Sequence, residues 1–127
     1  MRLAVLLSGA VIFAALCPVA AAAPDNPSGE RAFQRCYSCH SVNKGDKGLR
    51  GPNLDKLIGR AVAADTDFSY SKAFKTFAKR NPRWTKALLD KFLANPMKMV
   101  PGNEMGFFGL KDSQERAAII GYLAADK

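Results

Sequence analysis

Cys36-Tyr37-Ser38-Cys39-His40 is the stretch on which the reading of this 127-residue chain turns. Two thiols separated by two residues have several ordinary uses. In an exported chain they form a disulfide, and in a thiol oxidoreductase they form a reactive pair. When a histidine follows the second cysteine directly, the pattern is the attachment signature of a covalently held haem. The chemistry accounts for the spacing. Each thiol adds to one vinyl group of the same porphyrin, and the adjacent imidazole then lies beneath the iron as an axial ligand. The tether keeps the cofactor bound through redox cycling in a dilute compartment.

The residue counts narrow the choice. His40 is the only histidine, and Cys17 is the only cysteine outside the motif. A second imidazole ligand and a three-histidine zinc centre are therefore excluded, and a four-ligand Cys/His zinc site would lack a ligand.

Outward toward the N-terminus, Arg2 precedes an apolar run from Leu3 to Leu16, which closes on Ala20-Ala21-Ala22-Ala23. A charged start, a short apolar run and a small-residue site make a secretory signal peptide. Ser8, Gly9 and Pro18 interrupt the run, which falls short of the ~20 apolar residues a spanning helix needs. Residues 1–22 are read as this leader, cut at about residues 21–23, and 23–127 as one domain. Cys17 leaves with the leader. Only one charge, Arg2, goes with it, so the formal charge falls from +8 to +7. A basic balance suits an acidic partner, an anionic surface or nucleic acid. Nucleic acid is set aside because the aromatics fall on core stripes and export removes that partner.

Outward toward the C-terminus the apolar spacing is helical throughout, with no period-two alternation of the kind a strand requires. Ser28 reads as the cap of a first helix running into Cys36. Residues 41–51 are rich in Gly and Lys and read as a loop. Asn53 is expected to cap a short helix through Leu54, Leu57 and Ile58, ended by Gly59. Ser71 caps a helix placing Ala73, Phe74, Phe77 and Ala78 on one face. It stops before Asn81-Pro82, since the residue before proline avoids helical geometry. Thr85 caps the next, with Leu88, Leu89, Phe92 and Leu93 as its stripe, ended by Asn95-Pro96. Residues 97–110 show no helical period. Asp112 with Glu115 forms a capping-box start for a last helix burying Ile119, Ile120 and Leu123. The chain is thus all-α, about five short helices around one haem.

The far face of the iron takes a ligand or stays open. Met97, Met99 and Met105 are the candidates outside the leader. A methionine is more often a filler of core gaps, and spacing alone does not choose among the three. Met105 lies in a non-periodic loop whose Gly102, Gly106 and Gly109 let backbone bend around a flat cofactor.

An ordered set of motifs resembles the class I c-type cytochromes, close to bacterial cytochrome c2 and mitochondrial cytochrome c. It comprises Gly29-x-x-x-Phe33-x-x-Cys36-x-x-Cys39-His40, Gly51-Pro52-Asn53-Leu54, Gly59-Arg60, Phe68-x-Tyr70-Ser71, Trp84, Asn95-Pro96, Pro101-Gly102-x-x-Met105-x-Phe107 and Gly109-Leu110-Lys111. The resemblance spans essentially the whole chain after the leader. It implies one haem c held through Cys36 and Cys39, with His40 and Met105 as axial ligands. Pro52 is expected to accept the His40 ring N–H at its carbonyl, orienting the imidazole. Arg60, Tyr70 and Trp84 are expected to hydrogen-bond the haem propionates, and Phe107 to pack at the haem edge. Gly29, Phe33 and Tyr122 resemble a contact between first and last helices.

The implied function is electron carriage rather than enzymatic turnover. With both axial positions filled, one electron passes on and off the iron and no substrate has a site. Partners are expected to be acidic redox proteins: a bc1-type complex, an oxidase, a reaction centre, or a periplasmic dehydrogenase or reductase. A soluble, periplasmic monomer without stable membrane insertion is expected. Arg35, Lys44, Lys47, Arg50, Lys98 and Lys111 are placed by the resemblance around the haem edge as a steering ring, which Glu104 interrupts. Three positions depart from the family pattern: Phe92 stands where a tyrosine is common, Phe74 where an asparagine is, and Asn103 where a threonine is. About three residues are inserted between Tyr70 and Trp84.

Overall fold

The structure, a computed structural model, describes residues 27–125. The leader, its cut site and Cys17 lie outside the described residues. Five α-helices occur among those described: α1 (Pro27–Phe33), α2 (Lys72–Arg80), α3 (Lys86–Ala94), α4 (Pro96–Met99) and α5 (Ser113–Ala124). A single 3-10 turn, Gln34–Cys36, continues α1 into the cysteine motif. The only strand-like feature among them is one antiparallel bridge between Ala61 and Arg83.

Three helix starts follow from short polar side chains taking the N–H groups that a first turn leaves unpaired. Ser71 accepts from the Phe74 N–H at 3.2 Å and Thr85 from the Leu88 N–H at 3.0 Å. Asp112 accepts from the Gln114 and Glu115 N–H groups at 2.8 and 3.4 Å. The reciprocal half of the expected capping box is not formed: the Glu115 carboxylate pairs instead with Arg35, joining α5 to the turn before Cys36.

Two segments differ from their expected form. Residues 53–58 are turns rather than a helix. Asn53 does act as a local cap, its Oδ1 accepting from the Asp55 N–H at 2.7 Å. The carbonyls that a helix would use are diverted to the Arg60 guanidinium, which donates to Asn53 O at 2.5 Å and Asp55 O at 2.8 Å. Lys56 accordingly turns to φ 47°. Conversely, Asn95-Pro96 ends α3 and also starts α4. Asn95 Oδ1 accepts from the Lys98 N–H at 2.9 Å, and a proline in the first turn has no N–H to leave orphaned.

α1 packs on α5, and α3 packs on both α5 and α4. Phe33, 1% exposed, meets Tyr122 at a ring-centroid distance of 5.3 Å, and Gly29 is buried in the same contact region. A second apolar cluster joins Phe74, Phe77, Trp84 and Phe92. Phe92 lies 5.5 Å from Trp84 and 5.8 Å from Phe74. Phe92 and Phe74, two of the departures from the family pattern, thus contact each other. Residues 59–62 lie beside 82–84: Trp84 N–H donates to Arg60 O at 2.9 Å and Gly59 N–H to Trp84 O at 2.7 Å. That pairing brings Arg60 and Trp84 to the wall of one cavity, which Phe74 of the second cluster also lines.

Candidate haem site

The site grows from the turn at Cys36. The Cys39 and His40 N–H groups both donate to Cys36 O, at 3.0 and 2.9 Å, so the pentad curls on itself. Neither Cys36 nor Cys39 is in a disulfide, and both are partly buried. Burial pushes the Cys36 thiol above its ordinary value, and Arg35 opposes that shift.

His40 is fixed from two sides. Its Nδ1 donates to Pro52 O at 2.7 Å, which leaves the Nε2 lone pair for a metal. Its ring also lies flat against Gly51: a Cβ there would stand 2.5 Å from His40 Cε1 and 2.9 Å from Nδ1. Only glycine fits, and the Gly51 N–H donates to Cys39 O at 2.8 Å to close the loop. Burial lowers the His40 pKa, with the Pro52 bond acting against it. The neutral, ligand-ready imidazole is therefore the favoured form.

Cys39, His40, Pro52, Arg60, Tyr70, Trp84 and Met105 all line one cavity, floored by Leu54 and Leu57. Met105 is the methionine that reaches it; Met99 packs against the core, and Met97 is exposed. Two expected site residues, Cys36 and Phe107, are not on the cavity wall and pack against the core beside it. Several further wall residues had no part in the expected haem site. Phe68 and Phe74 supply apolar surface, Gly51 the flat seat for His40, and Asn103 a buried amide. The Gly51-Pro52 dipeptide was a visible signal for its glycine. Asn103 was marked only as a departure from the family pattern.

The donors suit a large, mostly apolar cofactor with an anionic edge. Arg60 is held by the two carbonyls named above, yet its buried Nε has no partner among the described residues. A buried, unsatisfied guanidinium nitrogen facing a cavity awaits an acceptor, and a propionate supplies one. Tyr70 lies nearby, its hydroxyl accepting from the Asp65 N–H at 3.3 Å. Burial raises its pKa.

The comparisons with known proteins agree with this chemistry. The family model described as Cytochrome c matches residues 28–125. The chain belongs to the cytochrome c family. Among its relatives, cytochrome c2 from Agrobacterium tumefaciens (strain II Chrys) is 39% identical over 99 residues, 78% of this chain and 89% of the relative. Cytochrome c from Chlamydomonas reinhardtii is 43% identical over 104 residues, 81% and 90% of the two chains. The solved structure of cytochrome cH from Methylobacterium extorquens superimposes with a TM-score of 0.69 at 34% identity, covering 79% of this chain and 97% of that one. As a cytochrome c the protein is an electron carrier rather than an enzyme, and Cys36, Cys39 and His40 fit the family's covalent haem c.

The basic ring is partly neutralised. Arg35 pairs with Glu115, and Lys47 with Asp67 at 2.9 Å. Exposed pairs of this kind are worth little in stability, but they cancel local charge. Lys44, Arg50, Lys98 and Lys111 are exposed, and none of these four forms an ion pair among the described residues. No helix of the described residues is long and apolar enough to cross a membrane.

Proposed function

We propose that this cytochrome c is a soluble periplasmic shuttle that carries one electron at a time, with His40 and Met105 as the axial pair of its haem. The observation that carries the reading is the His40–Pro52 bond at 2.7 Å. It commits Nδ1 and points the remaining ring nitrogen at the cavity that Met105 also lines. Haem c supplies the one-electron Fe(III)/Fe(II) couple. The chain's own residues hold it and tune it. Cys36 and Cys39 tether it, His40 is oriented by Pro52 and Gly51, and the Met105 thioether favours the reduced state. Arg60, Tyr70 and Trp84 meet the propionates, and Phe107 packs beside the ring edge.

Residues 23–127 form the exported carrier, residues 1–22 being its signal peptide, cut at about 21–23. Its partners are acidic redox proteins: a bc1-type complex, an oxidase, a reaction centre, or a periplasmic dehydrogenase or reductase. The visible spectrum of the matured holoprotein tests the ligation. Met105→Ala is expected to abolish the sulfur–ferric charge-transfer band, lower the potential and admit external ligands, while Met97→Ala and Met99→Ala leave all three unchanged. The reverse pattern, with Met99→Ala opening the site, refutes the assignment.

A further inference from the structure

Phe108 is 90% exposed, against 42% for Met97 and 36% for Tyr37, the other large apolar side chains at the surface among the described residues. Its backbone holds it there. Gly106 and Gly109 flank it at φ 62° and 101°. A Cβ on Gly109 would stand 2.9 Å from the Ala94 carbonyl carbon and 3.2 Å from Asn95 Cα. Leu110 N–H donates to Leu93 O at 2.8 Å. The chain is thus clamped to the end of α3 one residue after Phe108. Phe107 packs against the core one residue before it.

A single exposed aromatic is ordinary, but three other features converge on this one. First, Phe108 is three residues from Met105, so their backbones are at most about 11 Å apart even if fully extended. A protein seated on Phe108 is therefore close to the haem cavity, where the steep distance dependence of electron tunnelling requires a partner to be. Second, the clamp presses Gly109 against Asn95, the cap of α4, and α4 carries the exposed Met97. Third, Lys98 on α4 and Lys111, three residues beyond Phe108, are exposed with no ion pair among the described residues.

We propose that Phe108 is the apolar contact at the centre of the surface on which the redox partner docks, entering an apolar recess in a negatively charged electron-transfer protein with Lys98 and Lys111 at its rim. Desolvated aromatics at an interface centre carry much of the binding energy, while rim charges govern the approach. A second copy of this chain is a poor occupant, because its net positive charge, +8 for the full chain and +7 once Arg2 leaves with the leader, and its own lysines would face the same lysines. The proposal rests on the electron-carrier reading and is independent of which methionine ligates the iron.

The test compares wild-type and Phe108→Ser holoprotein as electron acceptors from a purified bacterial cytochrome bc1 complex. It is run at ~0.15 M ionic strength, where the Debye length is ~8 Å and charge steering is damped. Phe108→Ser is expected to lower kcat/KM about tenfold, the scale of losing a buried phenyl contact, chiefly through KM. Phe108→Leu should keep most of the rate. The visible spectrum, the reduction potential and the oxidation rate with ferricyanide, which needs no docking recess, should be unchanged. Equal kcat/KM for wild type and Phe108→Ser overturns the proposal. So does a wild-type dimer in sedimentation that Phe108→Ser dissolves, or binding to anionic phospholipid vesicles lost in the variant at an unchanged rate with the complex. A wild-type protein that reacts with ferricyanide but not with the complex refutes the docking surface, and one that reacts with neither refutes the carrier reading beneath it.

Discussion

Asn103 holds Met105 by its backbone: the Met105 N–H donates to Asn103 Oδ1 at 3.0 Å. The other end of the same amide donates from Nδ2 to Pro96 O at 3.0 Å and Val100 O at 2.8 Å, with Met97 Sδ at 3.4 Å. The side chain is 7% exposed. It therefore ties α4 to a residue that lines the cavity, through bonds that a threonine hydroxyl at this position could not all supply.

Removing that amide should loosen the loop that carries Met105. Asn103→Ala leaves the Met105 N–H without its acceptor and takes the side-chain donor from Pro96 O and Val100 O, which keep their backbone bonds from the N–H groups of residues 100 and 103. The cost is about 1–3 kcal/mol. Denaturant unfolding of the holoprotein reads that loss directly. If Met105 is the distal ligand, imidazole should also bind the ferric form about tenfold more tightly than in wild type, the effect of ~1.4 kcal/mol taken from the native ligand. Imidazole affinity unchanged beside a clear loss of stability would mean that Asn103 braces α4 but not the ligand.

A different group reports on the cavity wall by pH. Burial raises the Tyr70 phenol above its ordinary value, against the Asp65 backbone bond and the Arg60 charge, which lower it. The folded state therefore keeps this proton when the unfolded chain, with a phenol near 10, has begun to lose it. Above about pH 10 the unfolded state binds fewer protons than the native one, so stability falls as pH rises. Propionates beside Tyr70 would push in the same direction. Ultraviolet titration should show one tyrosine ionising later than the ordinary range, and Tyr70→Phe should delete it while flattening the alkaline decline in stability. A late tyrosine that survives in Tyr70→Phe would contradict this placement.

Most of this architecture was legible because it depends on local rules. Ser71, Thr85 and Asp112 cap helices where short acceptors precede apolar stripes, and the sequential Cys36, Cys39 and His40 carry their chemistry in their spacing. What failed depended on groups brought together from a distance. The segment 53–58 has a helical apolar pattern, but Arg60 takes its carbonyls. The Glu115 carboxylate, expected to return to its own cap, is drawn to Arg35, 80 residues away. Asn95-Pro96 has two roles, and the stop masked the start. Asn103 was visible only as a departure from a family pattern, because its four contacts come from α4 and from Met105. Spacing alone left Met105 one of three methionines; the family resemblance singled it out, and it is the methionine that lines the cavity.

The charge ring gives the last expectation, and the ion pairs redraw it. A ring counted from sequence has six cations, but Arg35 and Lys47 are matched by Glu115 and Asp67, so Lys98 and Lys111 should steer the partner more than Lys47 does. Reversing a lysine changes two units of charge. Against one acidic group ~10 Å away in water, that amounts to about a fourfold drop in association rate at low salt. Lys98→Glu and Lys111→Glu should each show this loss and a shallower decline of rate with added salt. Lys47→Glu should show less, since its ammonium is already engaged by the Asp67 carboxylate, which also raises its pKa. Lys79→Glu on α2 is the control: it is exposed, and residues 75–80 line no part of the haem cavity. Stopped-flow oxidation or reduction by an acidic partner across a salt series measures all four. Equal losses from all of them would mean that net charge, and not a local patch, drives the encounter. A profile flat in salt would remove electrostatic steering altogether.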